Sequence, residues 1–186
     1  MIVANALKTA FTGLQLTYFE YVDEVTKGSQ VTKDVQFFWG DQKELNKWVA
    51  GRKGVEKYPL IWYVKPPYQK PRSKNFVEVQ ARLILFTSTK QTYYNNTRSL
   101  INYNEILNPL YDLVEDKLKS VNYIEIVSEV ININDEPNFG VDTDRQGVSG
   151  DFSSTTTKGT KSITLDYLDA KVFDLKLRVY PIKCNN

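Results

Sequence analysis

The segment NFVEVQARLILFTS, residues 75–88, constrains this chain more than any other stretch. Val77, Val79, Ala81, Leu83 and Leu85 recur at every second position, which puts them on one face of a pleated strand. Glu78, Gln80 and Arg82 take the opposite face, with Phe76, Ile84 and Phe86 at the ends. Just upstream, YPLIWYV (58–64) reads as a second strand, and Pro59 must stand at its start because proline has no N–H to give to a ladder. The spacer KPPYQKPRSK (65–74) is too long for a two-residue turn, and its three prolines favour a stiff, extended conformation. Together these runs predict a long β-hairpin with a projecting tip over residues 65–75.

The flanking segments supply further elements. Ile2, Val3, Ala6, Leu7, Ala10, Phe11 and Leu14 share one stripe of a helix over 2–14. LQLTYFEYVDEV (14–25) is aromatic and β-branched, hence extended, whereas the polar, Gly28-containing TKGSQVTKD (26–34) reads as a turn. VQFFWGD (35–41) is a short strand. A helix over 41–54 follows, begun by Asp41 with Glu44 three residues on, the pattern of a capping box. TRSLINYNEILNPLYDLVEDKLKS (97–120) predicts the main helix, kinked or split near Asn104–Asn108 because Pro109 removes a backbone donor. VNYIEIVSEVININ (121–134) is a strand, 135–162 a long Gly/Ser/Thr/Asp-rich loop or arm, and 165–182 a closing strand. In that last strand Phe173, Leu175, Leu177 and Val179 alternate with Asp174, Lys176 and Arg178. The order predicts a single α+β domain over 1–186, a mostly antiparallel β-sheet packed against two or three helices, built from hairpins rather than repeated βαβ crossovers.

The residues that are missing exclude whole classes of chemistry. The 186 residues include no histidine, which removes the Ser-His-Asp and Cys-His nucleophiles and zinc sites of the Cys/His type. The one cysteine, Cys184, rules out an internal disulfide and fits a reducing compartment. GDQKEL lacks the ending of a phosphate-binding loop, no G-x-G-x-x-G occurs, and VDTDRQG has the wrong register for a calcium loop. No enzymatic activity and no cofactor are therefore expected. The N-terminal stretch lacks the pattern of a signal peptide, and no apolar run is long enough to span a bilayer, so no membrane contact is expected. A net charge of +2 leaves no broad electrostatic footprint for nucleic acid.

What remains is surface. Lys65, Tyr68, Lys70, Arg72 and Lys74 interleave charge with an aromatic ring on the hairpin tip, a composition that suits a protein contact anchored by Tyr and Arg. The same composition suits single-stranded nucleic acid, by stacking and phosphate contact, and it also suits a plain solvated tip. With Phe139, Arg145 and Phe152 of the long loop, these are the candidate subunit-interface residues. The leading expectation is contact between subunits, and the alternative is a nucleic-acid-binding module that uses the basic 65–75 hairpin.

The order of segments resembles the tail-terminator and head-to-tail neck (connector) ring proteins of tailed bacteriophages. The likeness runs through the opening helix, VQFFWGD, YPLIWYV, the hairpin into VEVQARLILFTST, the helix RSLINYNEILNPLYDLV and the final LDAKVFDLKLRVYPIKC, roughly residues 2–134 and 165–184. The 135–162 stretch has no counterpart in it, and the Asn-, Lys- and Tyr-rich composition suits a phage of an AT-rich host. The resemblance implies a structural virion protein of the neck or tail, made in the host cytoplasm. It implies a six- or twelve-fold homo-oligomeric ring that meets portal, adaptor or tail proteins, with DNA passing through the lumen. It transfers no individual functional residue.

Overall fold

A computed structural model describes residues 2–51, 57–66, 75–90, 92–137, 139 and 168–181. In chain order it contains α1 (Ile2–Phe11), β1 (Gln15–Tyr21), β2 (Lys27–Asp34), β3 (Gln36–Gly40), α2 (Gln42–Gly51), β4 (Leu60–Val64) and β5 (Val77–Ser88). There follow α3 (Asn95–Arg98), a π-helical stretch (Ser99–Leu107), α4 (Asn108–Ser120), β6 (Ile124–Glu136) and β7 (Leu168–Val179). The fold is α+β, and antiparallel pairing dominates it. A five-stranded sheet runs β3-β4-β5-β7-β6, and β1 and β2 form a separate two-stranded ribbon.

The period-2 pattern of 75–88 builds the centre of the sheet. β5 pairs along its whole length with β7, from Val77 opposite Val179 to Ser88 opposite Leu168, and with β4 on its other side. Val77, Val79, Ala81, Leu83 and Leu85 join Ile61, Tyr63, Phe173, Leu175, Leu177 and Val179 in one core layer. That layer is covered by α1, the π-helical stretch and α4 through Leu7, Phe11, Leu107, Leu110, Val114 and Leu118. The opposite face changes character along its length. Towards one end Leu60, Trp62, Ile84, Phe86, Leu168 and Ala170 pack under Leu45 and Val49 of α2. Towards the other end the same face carries Glu78, Arg82, Asp174, Lys176 and Arg178. Among the described residues no helix is long and apolar enough to cross a membrane.

Local chemistry sets the boundaries. α1 ends where the Thr12 hydroxyl donates to the Lys8 carbonyl at 2.8 Å and Gly13 adopts φ +74°, a conformation that favours glycine. This is earlier than the expected 14, and Ile2, placed in the apolar stripe, is half exposed. The capping box at α2 is reciprocal: Asp41 N–H donates to Glu44 Oε2 at 2.8 Å, and Glu44 N–H donates to Asp41 Oδ1 at 2.9 Å. The main helix does break ahead of Pro109. Residues 99–107 wind as a π-helix, in which Asn108 N–H reaches back five residues to the Tyr103 carbonyl, and α4 starts at Asn108. The wider winding lets Ile101, Asn102 and Tyr103, three consecutive residues, all be buried.

Four expectations need correction. Residues 27–34, expected as a turn, are strand β2, which pairs antiparallel with β1. The turn lies at 22–26, where the Asp23 carboxylate accepts the backbone N–H groups of Val25 and Thr26 at 2.9 and 2.7 Å. Gly28 is a glycine of close approach, since a Cβ there would stand 2.8 Å from the Glu20 carbonyl oxygen. Secondly, β3–α2–β4 is a crossover with parallel pairing, so the sheet is not built from hairpins alone. Thirdly, residues 135 and 136 belong to β6 rather than to the long loop, whose residues 140–162 lie outside the described part. Finally, Phe139 was expected at a subunit contact but is only 6% exposed. Its ring stands 4.9 Å from that of Phe86 at 70°, and its N–H donates to the Leu168 carbonyl at 2.8 Å, which ties it into the core of its own chain.

Leu83 is fully buried at the centre of the main layer, whereas Ile133 on the outer strand is 48% exposed. Leu83→Ala should lower unfolding stability by about 2–5 kcal/mol in a urea titration, and Ile133→Ala by under about 0.5 kcal/mol.

Candidate functional site

Of the residues singled out in the sequence, Lys65 and Phe139 lie among the described residues. Lys65 is exposed just beyond β4, where its N–H donates to the Gly40 carbonyl at 3.0 Å. Phe139 is in the core. Tyr68, Lys70, Arg72, Lys74, Arg145 and Phe152 lie outside the described residues. Two concave surfaces that sequence reasoning missed take their place.

The first is a pocket of about 360 Å³ between the β1–β2 ribbon, residues 87–90 and 93, and the π-helical stretch. Three lysines, Lys33, Lys57 and Lys90, are among its lining residues, together with Glu20. Lys33 pairs with Glu20 at 2.9 Å, and this hydrogen bond is the main reason the lysine is held well above its ordinary range. Lys90 lies over the Tyr93 ring at 5.4 Å, and Lys57 donates to the Val49 carbonyl at 2.9 Å. Asn102, 2% exposed, contributes to the floor. Its amide nitrogen donates to Thr89 Oγ1 at 2.8 Å and to Asp169 Oδ2 at 2.6 Å. Asp169 in turn faces Arg98 at 3.4 Å, and Arg98 Nε donates to the Tyr93 carbonyl at 2.9 Å. Both members of this ion pair are buried, and the network ties the floor to Asp169 of β7, to Thr89 and to Tyr93. The Tyr103 phenol, which donates to the Ala170 carbonyl at 3.4 Å, is pushed up above its ordinary range by burial first and then by the Asp169 charge. The ribbon that forms the pocket's other wall is anchored by Glu105, which pairs with Lys27 and accepts from the Tyr21 hydroxyl at 3.4 Å.

The second is a trough of about 820 Å³ between α4 and β6. Tyr111, Leu118, Ile126, Phe173 and Leu175 give it an apolar floor, and Glu115 and Glu125 stand among its lining residues. β6 is an outer strand of the sheet and its pairing is irregular on either side of Ser128. Ser128 Oγ lines the trough, is buried, and has no hydrogen-bond partner among the described residues. On the face of the sheet away from α4, charges cross three strands. Arg178 reaches Glu125 at 3.0 Å and Glu78 at 3.4 Å, Lys176 reaches Glu78 at 2.9 Å, and Arg82 holds Asp174 through two bonds of 2.8 and 2.9 Å. The Tyr180 hydroxyl, donating at 2.7 Å, and then Arg178 hold the Glu125 carboxyl below its ordinary value of 4.5.

Among the described residues no group of three or more His, Cys, Asp and Glu is placed to hold a metal ion. Comparison with protein-family models, with curated proteins and with solved structures finds no match for this chain.

Two outcomes follow from these networks. Asp169→Ala, which strands the buried Arg98 cation, should cost roughly 3–5 kcal/mol in chemical denaturation. Glu125 has a lowered folded-state pKa, so its contribution to stability is present above its ordinary value of 4.5 and is lost as pH falls through the folded value. Glu125→Gln should therefore be less stable than the parent at pH 7, and urea titrations should show that difference narrowing towards pH 3.

Proposed function

We propose that this chain is a structural virion protein, a tail-terminator or head–tail neck subunit that joins portal or head to tail as a closed ring of its own copies. One observation supports the reading: the two outer strands of the sheet carry unlike surfaces that suit one another. On β3, Phe37 and Trp39 are half-buried, their rings 6.0 Å apart at 28°, with the Lys8 ammonium 5.9 Å from the Trp39 ring. On β6, at the far side of the sheet, lies the trough with its apolar floor, its two glutamates and the Ser128 hydroxyl. An aromatic ridge flanked by a cation fits an apolar trough with Glu115 of α4 at its side, and a neighbour can give the Ser128 hydroxyl a hydrogen bond. A contact between unlike faces is head-to-tail, and it makes a ring when the rotation between neighbours closes.

Native mass spectrometry of the purified chain should show a discrete closed oligomer. Ile126→Arg in the trough and Trp39→Glu on the ridge should each give folded monomers, because each destroys one of the two faces. Mixed in equal amounts, the two variants should pair once and stop at heterodimers, since each keeps the face the other has lost. A parent protein that stays monomeric up to about 500 μM, far above the micromolar affinities usual for specific contacts, would sink the reading. So would variants that assemble like the parent.

A further inference from the structure

Neither concave surface accounts for the apolar side chains that this fold leaves in water. Six large hydrophobic residues are exposed among the described residues, and four of them, Val22, Val25, Tyr94 and Leu100, gather at one place. Val22 and Val25 stand on the turn that joins β1 to β2, at 75% and 78% exposure, where Gly, Asn, Asp and Ser are the usual residues. Glu24, between them, accepts from the Thr97 hydroxyl at 3.4 Å, and Thr97 lies three residues from both Tyr94 and Leu100. The turn and the start of the helix therefore share one apolar patch. Two carboxylates edge it, and their partners are neutral: the Val25 and Thr26 N–H groups for Asp23, and Thr97 for Glu24. Lys27, the nearest cation on the ribbon, is taken by Glu105.

We propose that this patch receives the basic, proline-rich segment KPPYQKPRSK (65–74) of a second copy of the chain. Its residues 67–74 lie outside the described part. Lys65, Lys70, Arg72 and Lys74 make the segment cationic, with no acidic residue to offset them, so it meets Asp23 and Glu24 with opposite charge. Its three prolines lose little freedom on binding and suit an aromatic surface, which Tyr94, 79% exposed, supplies. Length requires the second copy. The segment springs from the Val64–Val77 end of β4 and β5, whereas the patch lies past the other end of β5, with Tyr94 six residues beyond Ser88. Twelve residues of β5 set those ends about 36 Å apart. Ten residues that leave the sheet and return to it reach only about 17 Å. The contact runs along the strands, whereas the ring contact runs across them from β3 to β6, so either can fail alone. Between two single chains it is weak, with a dissociation constant of about 0.1–1 mM, and it strengthens where many copies meet together.

Isothermal titration of a synthetic KPPYQKPRSK peptide into the full chain tests it. The chain is held at about 50 μM, below that dissociation constant, so that its own segments compete little. The peptide should bind the parent and the Trp39→Glu chain alike, because Trp39 lies on β3, away from the patch. Val25→Lys removes an apolar side chain and sets a cation on the patch. It should weaken the peptide roughly tenfold or more while leaving the melting temperature unchanged, since the position is exposed. A peptide with its four cations replaced by glutamate should not bind. The proposal is overturned by no binding at millimolar peptide, by equal binding to Val25→Lys, or by equal binding of the acidic peptide. A ten-residue thymidine oligomer that takes the peptide more tightly than the chain does, with a steep salt dependence, overturns it too.

Discussion

The pairing of β5 with β7 is the constraint on which the rest of the structure depends. Twelve residues of each strand face one another without a break in register, and both strands are buried on their odd-numbered side for most of their length. A shift by one residue would turn Val79, Ala81, Leu83 and Leu85 away from the helical layer and press Glu78 and Arg82 into it. Burying those charges without partners costs far more than any local adjustment recovers, so the register is held. The helices, the second core layer and both concave surfaces are arranged around this fixed pair.

The even-numbered side shows how one strand pair produces two environments. Ile84 and Phe86 sit at the end covered by α2, so the sheet is apolar on both faces there. Glu78 and Arg82 sit at the other end, where Arg178, Lys176 and Asp174 of β7 answer them with opposite charge. Most of these ion pairs are partly exposed, and each contributes little to stability. Their value is in placing charge: they hold Glu125 and Arg178 in fixed positions on the face away from α4. The buried Arg98–Asp169–Asn102 network acts likewise at the opposite side of the molecule, where it locks the π-helical stretch against β7.

How much of this could be read from the sequence follows from how local each feature is. The central strand, the capping box at Asp41 and Glu44, and the break ahead of Pro109 depend on residues close together in the chain, and all three were legible. β2 was not, because a two-stranded ribbon with both faces largely wet leaves no apolar alternation, and Gly28 mimics a turn signal. The π winding has no sequence signature beyond the proline that ends it. Phe139 looked like an exposed anchor in a polar segment, but a lone aromatic there can fasten the segment to the core, and this one packs on Phe86. The pocket draws on residues 18–21, 33, 57–58, 87–90, 93, 101, 102 and 106, and the trough on three elements, α4, β6 and β7, joined only by folding. No spacing rule gathers such residues in advance.

The central functional claim is that this fold works by fitting the β3 edge of one copy to the β6 edge of the next. Electron microscopy of the purified chain at high concentration tests it most directly, because a head-to-tail contact that closes has a shape no other arrangement shares. The account predicts annular particles of uniform diameter with an open centre. Fields that contain only unassembled chains, or two-fold dimers joined through like faces, would contradict it.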